Sequence, residues 1–170
     1  MSSTLTDLLA TALAARAPLI AQLAAEDTDA WRLFHGTVEG APGITVDRYG
    51  AVLLAQTFHR PLTVEQLAEL EAFYAQALPG LPLVWNDRSG KNSRIANTLS
   101  PEQQALAEQP SEFSELGVRY RFQARHAGQD PWLFLDLRAA RRRVMQEAEG
   151  KSLLNVFAYT CGVGIAAAKA

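Results

Sequence analysis

The run Ser152-Leu153-Leu154-Asn155-Val156-Phe157-Ala158-Tyr159-Thr160-Cys161-Gly162-Val163-Gly164, continued by an alanine-rich stretch to Ala170, decides how the chain is read. Around Asn155 its first half is continuously apolar rather than alternating, which predicts a strand over Ser152 to Phe157 buried on both faces of a parallel sheet. Gly162 then begins a helix. A strand, a tight glycine-containing turn and a helix form the opening half of a βαβ unit, and open α/β sheets bind ligands beyond the C-terminal ends of their strands. Two glycines ahead of a helix also occur in proteins that bind nothing there, so the turn alone leaves cofactor binding open.

Working backwards, Trp132 to Leu135 is a short apolar run, and Asp136 is placed to cap a helix carrying Leu137, Ala140, Val144 and Ala148, closed by Gly150. Before Gly128 the pattern is different. Thr4 and Asp7 resemble a capping box, and Leu5, Leu8, Leu9, Ala12, Leu13, Leu19, Ile20 and Leu23 recur at helical spacing, with Pro18 placed to bend the helix. Ile44 to Phe58 reads as a hairpin turning at Tyr49-Gly50. Thr63 and Gln66 cap a second helix with an apolar face of Leu67, Leu70, Phe73, Tyr74 and Leu78, and Leu83 to Trp85 is a short buried strand. Asn86 to Asn97 is a polar loop, Ser100-Pro101 opens a brief helix, and Glu112 to Gln123 is a hairpin turning at Leu116-Gly117. The predicted fold class is an α+β N-terminal module followed by the first elements of an α/β Rossmann-like fold, with the boundary near residues 126 to 136.

The chain has 170 residues, 48% of them hydrophobic and 20% charged, which is the composition of a globular protein rather than a disordered one. Met1 to Ala30 lacks a basic segment ahead of an apolar one, and Arg16, Pro18 and Gln22 interrupt Leu8 to Leu23, so the expectation is a cytoplasmic protein without a membrane partner. One cysteine excludes an intrachain disulfide, and three scattered histidines give no metal-ligand spacing, so no metal is expected. The charge is uneven. Residues 1–117 carry seven basic and fourteen acidic side chains, whereas residues 118–170 carry nine and four. The basic end is where a polyanion would sit, although the same arginines would serve equally as a solvated strand and helix surface.

Three blocks carry a family resemblance: Gly40 to Gly50 (Gly-Ala-Pro-Gly-Ile-Thr-Val-Asp-Arg-Tyr-Gly), Phe134-Leu135-Asp136-Leu137-Arg138 with Arg142, and Leu154 to Gly162 (Leu-Asn-Val-Phe-Ala-Tyr-Thr-Cys-Gly). In this order and at these separations the chain resembles the class I, S-adenosylmethionine-dependent 23S ribosomal RNA methyltransferases over residues 31 to 170. The resemblance implies an N-terminal helix over residues 1–30, an α+β substrate or RNA-side domain over 31–128, and over 129–170 the start of a Rossmann-like domain that takes S-adenosyl-L-methionine. Many relatives begin with a PUA RNA-binding domain where this chain has only the helix of residues 4 to 25, and often carry glutamine where Leu137 stands.

The chemistry of that cofactor asks for acceptors for its ammonium, donors for its carboxylate and an apolar slot for its ring. Asn155, Thr160 and the backbone of Ala158 to Gly162, including Cys161, are the expected partners of the amino-acid end. Arg138 is expected on the carboxylate, while Phe134 and Tyr159 supply aromatic surface near the sulfonium; Asp136 and Phe157 complete the cofactor set. Bland alternatives stand beside these: Asp136 as a helix cap, Phe134 and Phe157 as core, Arg138 and Arg142 as solvated charges. Arg119, Arg121, Arg141 and Arg143 are the expected contacts to RNA, the expected partner being ribosomal RNA, with a homodimer left open. The catalytic residues are expected beyond Ala170, and the 170-residue chain is expected to be inactive alone. A small-molecule methyltransferase and a non-catalytic interaction module are the alternative functions.

Overall fold

The computed structural model describes residues 3–128, 130–156 and 158–170. Helix α1 (Leu5–Ala25) starts at a full capping box, with the Thr4 hydroxyl accepting from the Asp7 amide and the Asp7 carboxylate accepting from the Thr4 amide. It runs through Pro18 as one helix. By length and composition α1 could span a membrane, but Leu9, Ala12 and Leu23 are buried against the sheet, and Arg16 is ion-paired to Glu39 at 2.5 Å.

Strands β1 (Ala30–His35), β2 (Ile44–Tyr49), β3 (Val52–Thr57) and β4 (Leu83–Asp87) form one sheet in that order, antiparallel at the first two junctions and parallel at the third. A four-residue helix α2 (Gly36–Glu39) links β1 to β2, and α3 (Val64–Ala77), opened by the Thr63/Gln66 capping box, crosses from β3 to β4. One face of the sheet, with Leu33, Phe34, Val46, Leu53 and Ala55, packs against α1 and against Leu70 and Tyr74 of α3. Strand β1 is poorly legible in sequence because its register shifts between Arg32 and Phe34. The bulge sends Leu33 and Phe34 together into the core, breaking the period-two signal, and leaves Arg32 and His35 on the opposite face.

That opposite face is half covered. The hairpin of β5 (Ser111–Glu115) and β6 (Val118–Phe122) lays Phe113, Tyr120 and Phe122 over Tyr49, Val52 and Leu54, with Tyr49 stacked on Phe122 at 4.3 Å between ring centroids. Gly50 permits this approach: its φ is +58°, and a Cβ there would stand 2.5 Å from the Glu112 carbonyl oxygen. The helix α4 (Pro101–Glu108) forms from its Ser100 capping box and buries Ala107 in this second core.

The C-terminal part departs from expectation in two places. Asp136 lies in a 3-10 turn over Leu135–Leu137, and α5 (Arg138–Glu147) begins after Leu137 without a side-chain cap, so Asp136 is not the cap. Residues 152–156 are not a strand, and Leu154 and Val156 are largely exposed. A parallel strand needs ladder partners on both sides and cover on both faces, and no strand among the described residues lies beside this segment. The helix after the turn does form, as α6 (Gly162–Lys169), and packs on α5.

Candidate cofactor turn and arginine face

The turn before α6 is built from unusual backbone. Thr160 and Cys161 both have φ of +57°, the left-handed region that non-glycine residues enter at a cost. The Cys161 amide donates to the Ala158 carbonyl at 2.9 Å, and the Thr160 hydroxyl donates to the Trp132 carbonyl, which ties the turn to the segment ahead of α5. Gly162 is buried, and a Cβ there would meet the Leu133 side chain at 2.5 Å. Asn155 is half-buried with its amide nitrogen against Gly164, 3.2 Å from where a Cβ would lie. Phe134 and Tyr159 stand beside the turn as an exposed aromatic pair, ring centroids 6.1 Å apart. The Tyr159 hydroxyl donates to the Asp130 carbonyl at 3.2 Å, and desolvation, helped by the Asp130 charge, raises its pKa. Ala158, Cys161 and Asp136 are exposed; Phe157 lies outside the described residues.

The arginines of α5 go elsewhere than expected. Arg141, expected on RNA, is 2% exposed, and its guanidinium forks onto both carboxylate oxygens of buried Glu115 and donates to the Phe134 carbonyl at 2.9 Å. A phosphate cannot reach it. Arg138, expected on the cofactor carboxylate, donates its Nε to Glu115 at 2.8 Å and Nη2 to the Ala30 carbonyl. These donors are committed to the protein. Arg142 is paired with Glu26 at 2.5 Å. The charge asymmetry of the sequence is therefore partly self-complementary, because basic α5 docks on acidic groups of the preceding elements.

Of the four arginines expected on RNA, the exposed ones are Arg119 and Arg121, which alternate on β6 with buried Val118, Tyr120 and Phe122, and Arg143 on the outer face of α5. Arg119 is paired with Glu112 and Arg143 with Glu147, both pairs largely in solvent and hence weak. Arg125 does not extend the alternation. It turns inward to Asn86 and Asn97, with Nε donating to Asn86 at 2.8 Å. A groove of about 330 Å³ runs between β6 and the turn, lined by Arg119, Arg121, Trp132, Thr160 and Ile165. The structure thus brings Arg119 and Arg121 to the turn, whereas Arg141 is buried beside Gly162 with its guanidinium on Glu115 and Arg143 is paired with Glu147 on the outer face of α5.

Two residues of this region gave no signal in the sequence. Glu115 reads as a strand-end carboxylate and Asp130 as a loop one, and only their positions against Arg138, Arg141 and Arg88 reveal them.

A family model described as S-adenosylmethionine-dependent methyltransferase matches residues 31–170. A ribosomal RNA large subunit methyltransferase of Deinococcus radiodurans is 35% identical over 163 residues, covering 93% of this chain and 40% of that protein. Ribosomal RNA large subunit methyltransferase I of Shewanella denitrificans is 33% identical over 150 residues, covering 82% and 35%. The chain thus spans about two fifths of the length of these relatives or less. Among solved structures, one described as a SAM-dependent methyltransferase from Streptococcus mutans superposes with a TM-score of 0.76 at 23% identity, over 99% of this chain and 44% of that one. Another, a methyltransferase complexed with SAH, gives 0.74 at 23% identity over 99% and 43%. The fold is that of these proteins, and with the family model matched from Trp31 to Ala170 the chain belongs to the S-adenosylmethionine-dependent methyltransferase family.

Proposed function

We propose that the chain is the substrate-side and cofactor-entry portion of an enzyme that transfers a methyl group from S-adenosyl-L-methionine to a base of large-subunit ribosomal RNA in the cytoplasm. The observation that carries this reading is the groove in which Arg119 and Arg121 face Thr160 of the family's turn, putting polyanion-binding charge beside the cofactor segment. The named activity of the relatives supports it. On this reading residues 1–30 are a supporting helix, 31–128 a domain that meets RNA, and 129–170 the first elements of the cofactor fold.

The residues at the turn suit the cofactor. Asn155 offers an amide that both donates and accepts, the backbone of Ala158 to Gly162 supplies groups for the amino-acid end, and Phe134 and Tyr159 present aromatic faces where a sulfonium is attracted to ring π-electrons. Asp136, released from capping, is an exposed carboxylate that lines a separate hollow with Trp31, Arg32 and Arg138 rather than the groove at the turn. S-adenosylmethionine supplies an activated methyl group, and the chain's contribution is to hold the donor in line with its acceptor.

The substrate class can be tested by titration. Full-length protein should bind RNA with a steep salt dependence, and replacing Arg119 and Arg121 with Gln should flatten that dependence by roughly 0.7 to 0.9 of a slope unit per lost contact while leaving cofactor affinity unchanged. Fluorescence anisotropy at several salt concentrations measures it. A protein that binds the cofactor but shows no salt-dependent RNA binding would support a small-molecule substrate instead.

A further inference from the structure

The half of the sheet face that the β5-β6 hairpin leaves uncovered is a cleft of about 580 Å³, within the ~300–1,000 Å³ of ligand pockets. Its floor is polar by construction. The β1 bulge puts Arg32 and His35 on this face, where the strand pairing sets them beside Asp47 and Thr45, and Thr45 beside Gln56. Its wall is Arg88 and the loop through Ser93. Arg32 anchors on buried Asp47 through Nε at 2.8 Å and Nη2 at 3.0 Å, which leaves Nη1 outside the fork on a side chain 38% exposed. Arg88 is held by Gln56 at 3.0 Å, the Ser93 carbonyl at 3.0 Å and Asp130 at 2.8 Å, with its guanidinium over the Phe58 ring. His35 Nδ1 and Thr45 Oγ1 are buried without a hydrogen-bond partner among the described residues. No aspartate or glutamate is among the described residues that line the cleft.

We propose that this cleft holds the sugar-phosphate backbone and a splayed base of single-stranded RNA next to the target nucleotide. The proposal rests on the RNA methyltransferase reading. The Arg32 guanidinium, fixed by buried Asp47 with Nη1 outside the fork, is pre-organised for a phosphate oxygen, Arg88 adds its positive charge from the wall, and Phe58 and His59 at the rim offer flat surfaces for an unstacked base, the combination by which proteins hold single strands. The position is what selects a substrate strand over a free anion. Asp130 takes the Arg88 guanidinium with its carboxylate and the Tyr159 hydroxyl with its carbonyl, so one residue separates the cleft wall from the cofactor turn. A strand lying in the cleft therefore passes one residue away from the segment proposed to hold the methyl donor.

The test adds negative charge to the cleft without touching its buried pairs. Thr37 and Asn92 are exposed lining residues, and Asn92 sits at φ +58°, a conformation that aspartate also tolerates. The double variant Thr37→Glu/Asn92→Asp in the full-length protein is compared with Val64→Glu/Ala72→Glu, which adds the same charge on exposed positions of α3. Binding of a fluorescein-labelled unstructured oligoribonucleotide is read by anisotropy, and S-adenosylmethionine binding by calorimetry. The expected result is about a tenfold or greater loss of RNA affinity for the cleft variant, little change for the α3 variant, and equal cofactor affinity in all three. Equal RNA affinity for the two variants, with the unsubstituted protein binding RNA, would overturn the cleft and leave the RNA methyltransferase reading in place. An unsubstituted protein that binds cofactor but no RNA would overturn both.

Discussion

Replacing Glu115 with Gln should destabilise the protein by about 3 to 5 kcal/mol, the usual loss when one member of a buried ion pair is removed. The Glu115 carboxylate is 1% exposed and receives two guanidinium groups, from Arg138 and from Arg141, the latter itself 2% exposed. Glutamine keeps the shape and one carbonyl acceptor but removes the negative charge, so Arg141 would be left as a buried cation without its counterion. The large figure is the cost of that orphaned charge and not the net worth of the network, which an apolar replacement of all three side chains could match. Urea denaturation followed by circular dichroism measures it. A loss below about 1 kcal/mol, the range of exposed pairs, would mean that water reaches the site and that the docking of α5 on β5 is looser than described.

Asn155→Ala in the full-length protein should weaken S-adenosylmethionine binding by roughly ten- to a hundredfold, the effect of losing a hydrogen bond to a charged group worth about 1.5 to 3 kcal/mol. Arg138→Ala should behave differently. Its donors are already committed to Glu115 and the Ala30 carbonyl, so this substitution should lower the melting temperature and leave cofactor affinity within a fewfold. Calorimetric titration beside thermal melts separates the two. The reverse outcome, with affinity lost at Arg138 and intact at Asn155, would return the arginine to the cofactor carboxylate and require it to leave Glu115 on binding.

The contrast between these two residues shows which parts of the molecule could be read from sequence. Local rules fix local structure: Thr4, Thr63 and Ser100 each satisfy the amide three residues on, and the helices begin where those caps stand. The hairpins at Tyr49-Gly50 and Leu116-Gly117 form for the same kind of reason. Residues 152–156 were equally readable as a buried strand, but burial is a property of neighbours, and without flanking strands the apolar side chains of Leu154 and Val156 remain exposed. The arginine surface was legible only as charge. Its division into Arg119 and Arg121 facing outward and Arg138, Arg141 and Arg142 facing inward depends on Glu115 and Glu26, which are distant in sequence and carry no motif. The cleft escaped for a similar reason: the β1 bulge that assembles its floor erases the alternation by which a strand is recognised.

Methyl transfer itself tests the central claim most directly. Large-subunit ribosomal RNA from cells lacking the gene is incubated with full-length protein and S-adenosylmethionine labelled in its methyl group, and the RNA is digested and its nucleosides separated. Label is expected in one modified nucleoside that is absent from the unincubated RNA, with no incorporation when the 170-residue chain is used alone. Full-length protein that binds the cofactor yet leaves ribosomal RNA unlabelled would contradict that claim.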